Sequence, residues 1–279
     1  MAPLGEQSRL ALIARILLWE GRVGRSRIAS EFNLGDVRAS EWLRELRQAY
    51  PRWTRWDSRQ RKHIATPALY AQIEKQSRDA LTPFLQTVLT PYSESTPDSP
   101  IHGVVPSYIQ APSPLTFSRM HMAITDARQV QFTYASMGNP EPHTRTLEPH
   151  SLVLAGRRWH VRGYCVEKSD FRDFVLGRMR ETKVLDAERT ADPGDDVAWN
   201  AIVPVSFVAH PHLSQAQQRV VREEFFLGNA ARVQNCRGAL VAYLIQELRA
   251  SVDPERERPP DFQLFVENIK ECKRWLFPS

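Results

Sequence analysis

The chain has 279 residues, 42% hydrophobic and 25% charged, enough apolar material for a sizeable core and more than one small module needs, so two or three domains are expected. Lys and Arg total 37 against 32 for Asp and Glu, and the surplus is uneven: residues 1–65 hold 13 basic and 7 acidic side chains, a balance that suits a polyanion. Three scattered cysteines (Cys165, Cys236, Cys272) exclude a disulfide framework and a thiolate metal site, and the apolar run Leu10–Trp19, broken by Arg15, is too short for the ~20 residues of a membrane span. With no export signal ahead of that run, a cytoplasmic protein without a membrane partner is expected.

The first predicted helix runs from Glu6 to Glu20, with Leu10, Ile13, Ile16 and Leu17 at helical spacing and Gly21 and Gly24 after it. Ser26–Phe32 reads as a short second helix and Asn33-Leu34-Gly35 as a turn that tolerates left-handed geometry. Asp36 is expected to cap a third helix reaching Tyr50 and stopped by Pro51. Its stripe Ala39, Trp42, Leu43, Leu46 and Tyr50 faces inward, leaving Val37, Arg38, Ser40, Glu41 and Arg44 outward.

Next, Arg52-Trp-Thr-Arg-Trp alternates, Asp57-Ser58 can turn, and Arg59-Gln-Arg-Lys-His-Ile returns, which is the layout of a wing after a helix-turn-helix. The DNA-binding candidates are Arg25 and Ser26, the outward residues of the third helix, and Arg55, Arg59, Arg61 and Lys62 of the hairpin. A small helical bundle with a solvated charged hairpin is the competing interpretation.

Residues 67–90 carry a helical pattern, and Pro91–Pro114, with six prolines, reads as an irregular connection. A helix from Ser118 to Arg128 precedes strand-like runs at Val130–Tyr134, Thr144–Leu147, Ser151–Leu154, Arg158–Cys165, Asp173–Met179 and Thr182–Leu185. Many short strands without intervening helices imply a small barrel. The order beyond them is strand (Ala201–Ala209), helix capped by Ser214, strand (Ala231–Asn235), helix (Gly238–Ala250) and a last helix from Phe262 to Phe277, a compact α+β unit.

These segments resemble the bacterial WYL-domain transcription factors. Phe132-Thr-Tyr-Ala-Ser136 looks like the family's Tyr-x-Ser strand, Leu147-Glu-Pro-His150 like its Pro-containing strand, and Arg158-Trp-His-Val-Arg-Gly-Tyr-Cys165 like the segment that names the domain, with Trp159-His160-Val161 in place of the naming triplet. Phe171–Arg178 resembles the next strand, and His210-Pro-His-Leu-Ser-Gln-Ala-Gln opens a segment similar to the family's C-terminal extension. The resemblance implies a multidomain α+β chain: a winged helix-turn-helix over 1–66, a helical and Pro-rich linker over 67–117, a Sm/SH3-like WYL barrel over 118–190 and an α+β extension over 191–279. It also implies a repressor of the subgroup encoded beside phage-defence systems such as BREX and CBASS, and a homodimer is expected because one winged helix gives too small a footprint for strong specificity while symmetric half-sites double it.

On the barrel, strand alternation sets Arg158, His160 and Arg162 on one face and Trp159 and Val161 on the other. The candidate ligand-binding set is Tyr134, Ser136, His150, Arg158, Trp159, His160, Arg162, Arg172 and Arg178. Guanidinium forks converging without matching acids suit phosphate, and aromatic planes suit a base, so a nucleotide or short nucleic-acid effector is expected beside a double-stranded operator with an inverted repeat. The alternative is a solvated surface on which these arginines pair with Glu148, Asp170, Asp173 and Glu181. No cofactor, metal or catalysis is expected, since neither a Gly-rich phosphate loop nor a nucleophile elbow is present, and His150, His210 and His212 lack metal-site spacing. A nucleic-acid-binding accessory factor without promoter control and an enzyme acting on nucleotides remain as other classes.

Overall fold

The computed structural model describes residues 9–74, 112–155 and 158–277. They divide into two compact units, one drawn from Met1–Val153 and Arg157–Ala191, the other from Leu154–Gly156 and Asp192–Ser279.

In the first unit, α1 (Arg9–Glu20) buries Ala11, Ile13, Ala14, Ile16, Leu17, Leu18 and Trp19, apolar nearly all round, and so forms the centre of a helical core. A two-residue strand β1 (Arg22–Val23) follows, then α2 (Arg25–Phe32), which ends at Asn33 in the left-handed region with φ 51°. Helix α3 (Asp36–Ala49) buries Ala39, Leu43 and Leu46. Its cap is Gly35 rather than Asp36, which lies in the first turn, where a carboxylate faces the positive end of the helix dipole and Arg25 at 3.5 Å. Strands β2 (Thr54–Asp57) and β3 (Lys62–Ala65) make the wing, and β1 adds a third strand in the order β1-β3-β2. Two residues carry no periodicity, so β1 has no sequence signal.

Helix α4 (Pro67–Glu74) begins the predicted helical stretch, while residues 75–111, with most of the Pro-rich connection, lie outside the described residues. Helix α5 (Pro114–Thr125) starts four residues earlier than expected because Pro114 occupies its first turn, where a missing N–H costs nothing. Strands β4 (Arg128–Tyr134), β5 (His143–Ala155), β6 (Arg158–Cys165), β7 (Asp170–Val175) and β8 (Met179–Glu188) follow. The expected break at Pro149 is absent, and β5 is one continuous strand. Arg178 also leaves the predicted strand for a single turn of 3-10 helix, Leu176–Arg178.

The strand order is β7-β6-β5-β4-β8. A closed Sm/SH3-like barrel was the expectation; among the described residues no ladder joins the edge strands β7 and β8, and the sheet is open. Only the three-residue turn 176–178 separates those edges in sequence, a reach of ~13 Å when extended, so the sheet curls until its edges approach without a hydrogen-bonded seam. Its core holds Met120, Phe132, Tyr134, Leu147, Val161 and Phe174.

Buried Glu148 ties the end of this unit down. Its carboxylate accepts from the backbone N–H groups of Thr190 (2.9 Å) and Ala191 (2.6 Å), the Thr190 hydroxyl (3.0 Å) and Gln129 (2.8 Å).

The second unit has α6 (Val197–Asn200), β9 (Ile202–Ala209), α7 (Gln215–Phe226), β10 (Ala231–Arg237), α8 (Val241–Glu247), β11 (Ala250–Ser251), β12 (Leu264–Val266) and α9 (Ile269–Cys272). Ser214 caps α7 as expected, in a capping box with Gln217. The predicted helix over 262–277 is instead β12, α9 and a 3-10 turn, because Leu264 and Val266 fill the core beneath β9 and leave only the residues after Asn268 to coil. The sheet runs β10-β9-β12-β11. Among the described residues no helix is long and apolar enough to cross a membrane.

Two stability outcomes follow from this packing. A Cβ on Gly163 would stand 2.4 Å from the Glu148 carbonyl oxygen and 2.7 Å from the Pro149 Cα, both backbone. Gly163→Ala therefore forces β5 and β6 apart and should cost about 1–3 kcal/mol, read as a lowered midpoint in urea or thermal unfolding. Burial also pushes His63, His121 and His160 below their ordinary 6.5. The unfolded chain binds those protons more readily, so stability is whole above pH 6.5 and falls as pH drops through that value towards 5. Melting curves across pH 5–8 should show this loss, and His160→Gln should flatten it.

Candidate nucleic-acid groove and effector face

Between α2, α3 and the wing lies a groove of about 660 Å³. Arg25, Arg27, Arg44, Arg47, Arg61 and Lys62 line it, joined by Ser26, Ser40, Trp56 and Gln60; Arg25 is paired with Asp36 and Arg27 with Glu20 and Glu31, and the other four have no carboxylate partner among the described residues. Each position follows from local structure. Arg44 and Arg47 are three residues apart on the exposed side of α3, opposite Leu43 and Leu46, and Trp56 and His63 stand across from each other on β2 and β3. The Trp56 ring is half exposed and packs 4.9 Å from His63, whose imidazole is held down by burial and then by nearby Arg47. Buried neutral, His63 supports the tryptophan without adding charge.

Of the DNA-binding candidates, Arg25, Ser26, Ser40, Arg44, Arg61 and Lys62 meet in this groove. Val37 is 76% exposed on the outer side of α3, and Arg38 is paired with Glu41 at 3.2 Å. Arg55 stands opposite Ile64 and so on the wing face away from Trp56, and Arg59 is exposed in the wing turn held by Asp57. Arg27, Arg47, Trp56 and Gln60 were missed by pattern reading. Arg47 had a legible signal, its three-residue spacing from Arg44, whereas Arg27 and Gln60 reach the groove only through tertiary folding.

On the WYL sheet, His160 and Arg162 are buried on the face that Arg158 begins, while Val161 enters the core and Trp159 packs against it. The expectation of an acid-free arginine cluster is corrected by the ladder. Asp173 stands directly opposite Arg162, with the guanidinium 3.1 Å from its carboxylate, and Arg172 stands opposite Gly163, on the Val161 face, paired with Asp170 at 3.3 Å. Burial pushes His160 down, Asp173 pulls the other way, and the charges of Arg158 and Arg178 lower it further.

Tyr134 is buried against Phe174 at 5.0 Å, and its hydroxyl accepts from the Val175 N–H. Ser136 closes a turn by accepting from the Asn139 N–H, and His150 shares a hydrogen bond with the Ser151 hydroxyl beside Phe171. Tyr134, Ser136 and Arg178 border a depression of about 400 Å³ together with Met137 and Arg180. His210 and His212 serve the second unit: His210 bonds the Glu257 carbonyl and His212 the Glu255 carboxylate.

Groove and WYL sheet are physically joined. Arg22, 8% exposed, donates through Nη1 and Nη2 to both carboxylate oxygens of Asp126 (2.8 and 2.5 Å) at the end of α5, and through Nη1 to Gln60 of the groove (2.9 Å). Beside it, Trp19 of α1 meets Phe117 of α5 edge-on at 5.2 Å, and Phe117 meets Trp159 of β6 at 5.1 Å. Gly21, at φ 74°, lets Met122 pack where a side chain would collide.

Comparison with known proteins agrees with this arrangement. Residues 5–87 match the BrxR transcriptional regulator winged helix-turn-helix domain, residues 116–184 the WYL domain, and residues 202–272 the BrxR transcriptional regulator C-terminal dimerization domain. The chain is 31% identical to the DNA-binding transcriptional repressor CapW of Stenotrophomonas maltophilia over 98% of its length and 92% of the relative's. The CapW of Pseudomonas aeruginosa is also 31% identical, covering 96% of this chain and 91% of the relative, and that of Escherichia coli strain KTE188 is 28% identical, covering 96% and 90%. This chain therefore belongs to the WYL-domain transcriptional regulators that carry a BrxR-type winged helix-turn-helix and a BrxR-type C-terminal dimerization domain.

Proposed function

We propose that the protein is a homodimeric transcriptional repressor that reads an operator with its winged helix and responds to a nucleotide or short nucleic-acid effector on its WYL sheet. The observation that carries this reading is the groove between α3 and the wing, where Arg44, Arg47, Arg61 and Lys62 converge with no carboxylate partner among the described residues. Such a surface attracts the phosphate backbone, and the exposed Ser40 and Arg44 of α3 stand where base edges are read in the major groove. Repression is the activity named for the CapW relatives, and control of a phage-defence operon follows from the family resemblance.

Effector recognition falls to Arg158 and Arg178, whose charges both reach His160. Arg162 and Arg172 have carboxylate partners, so they orient the sheet face more than they attract an anion. An effector alters operator affinity only if it binds two arrangements unequally. The Trp159–Phe117–Trp19 contacts and the Asp126–Arg22–Gln60 bonds supply a route by which a shift of β6 or α5 reaches the wing.

In gel-shift titrations against DNA upstream of its own gene, Arg44→Ala should cost roughly 1–3 kcal/mol on the cognate sequence alone. Arg61→Ala or Lys62→Ala should weaken all sequences alike and lower the salt slope by about one each. Unchanged cognate affinity for Arg44→Ala removes α3 as the reading helix. For the effector face, anisotropy with short single-stranded oligonucleotides should show about tenfold or greater loss in the Arg158→Ala, Arg178→Ala double variant, with operator binding retained. Phe117→Leu should keep oligonucleotide binding yet lose its effect on operator affinity; equal responses in both variants and the wild type overturn the effector assignment.

A further inference from the structure

We propose that β10 is the strand through which two copies of this chain pair, edge to edge and antiparallel, about a two-fold axis at Val233–Gln234. The proposal rests on the homodimeric reading above and assigns its surface.

The sheet of the second unit has two edges, β11 and β10. Strand β11 is two residues long and both are buried, so that edge is already covered. Strand β10 is seven residues long and pairs with β9 in unbroken register from Ala231↔Val208 to Arg237↔Ile202. Its other side carries backbone donors and acceptors that no strand of the described residues meets. Natural edges of this length are guarded by proline, charged side chains, a bulge or a covering segment. The sequence Ala-Arg-Val-Gln-Asn-Cys-Arg has no proline, its ladder has no bulge, and of the four successive exposed residues Arg232–Asn235 only Arg232 is charged. An edge guarded by so little is a template for a further strand.

The sheet face that continues from this edge mixes apolar and polar side chains: Val233 is 61% exposed and Ile202 on β9 60% exposed, and by register Asn235, Arg237, Pro204 and Ser206 share the face. The helices cover the opposite face, where Val205 and Phe207 meet Val221, Val241 and Ile245. A second copy is the favoured occupant, because β10 lies wholly inside the segment that matches a dimerization domain. Pairing a strand with itself about a two-fold is isologous and closed, so it stops at two chains and buries both edges in one eight-stranded sheet. Charge permits it: no register centred on Val233 or Gln234 sets Arg232 or Arg237 directly opposite an arginine of the other copy.

The test is light scattering on the full chain at micromolar concentration, with circular dichroism as the check of folding. Wild type should run at twice the chain mass. Val233→Lys and Val233→Glu should each run at the monomer mass with an unchanged spectrum, since like charges then stand directly opposite in the register centred on Val233 and diagonally adjacent in that centred on Gln234. An equimolar mixture of the two should return to twice the chain mass, which a folding defect cannot produce. Either variant alone remaining dimeric overturns the β10 assignment while leaving the homodimer standing, and so does a mixture that stays monomeric. A monomeric wild type overturns the homodimeric reading and the assignment with it.

Discussion

Arg22 is the residue on which the arrangement of the first unit depends. A guanidinium 8% exposed must be matched, because an uncompensated buried charge destabilises far more than a surface pair contributes. Here the match is Asp126, at the far end of a helix that leads into the WYL sheet, and Gln60 of the wing takes part of the same guanidinium. The neighbours of Arg22 lie in the same region: the two-residue strand β1, which contains Arg22 itself, and Gly21 at positive φ, where Met122 packs. Arg22 also makes the basic groove and the WYL sheet parts of one body, with the Trp19–Phe117–Trp159 contacts packed alongside.

The two surfaces so joined differ in charge logic. In the groove Arg25 and Arg27 have carboxylate partners, while Arg44, Arg47, Arg61 and Lys62 have none among the described residues, so the groove keeps a net positive charge that attracts a polyanion. The WYL face interleaves its arginines with Asp170 and Asp173, and buries a histidine that burial keeps neutral. A partly neutralised face discriminates by shape and hydrogen bonding more than by bulk attraction. The second unit follows a third logic, with helices on one face of a sheet and its longest edge left open.

Much of this was legible in the residues. The α1–α3 pattern, the wing hairpin and β6 from Arg158 to Cys165 all came from periodicity and punctuation, since apolar spacing reports directly which side of an element is buried. The Ser214 cap was equally local, a hydroxyl three residues from a glutamine. Clustered basic residues near the wing located the candidate interface for the same reason: charge density along the chain survives folding.

What pattern could not supply were pairings between distant segments. Asp173 stood among the carboxylates the arginines could pair with, but only the β6–β7 register sets it opposite Arg162, and nothing near Gly163 announced that the β5 backbone would pass so close that no Cβ fits, because register belongs to two strands at once. The stretch 262–277 has helical spacing, yet Leu264 and Val266 became a strand once β9 offered a partner and a core to fill. Arg22 and Asp126 are 104 residues apart. Composition and spacing set which residues are apolar, charged or turn-forming, while only the folded chain decided which charges neutralise one another, since Coulombic matching acts across space and leaves no period in the sequence.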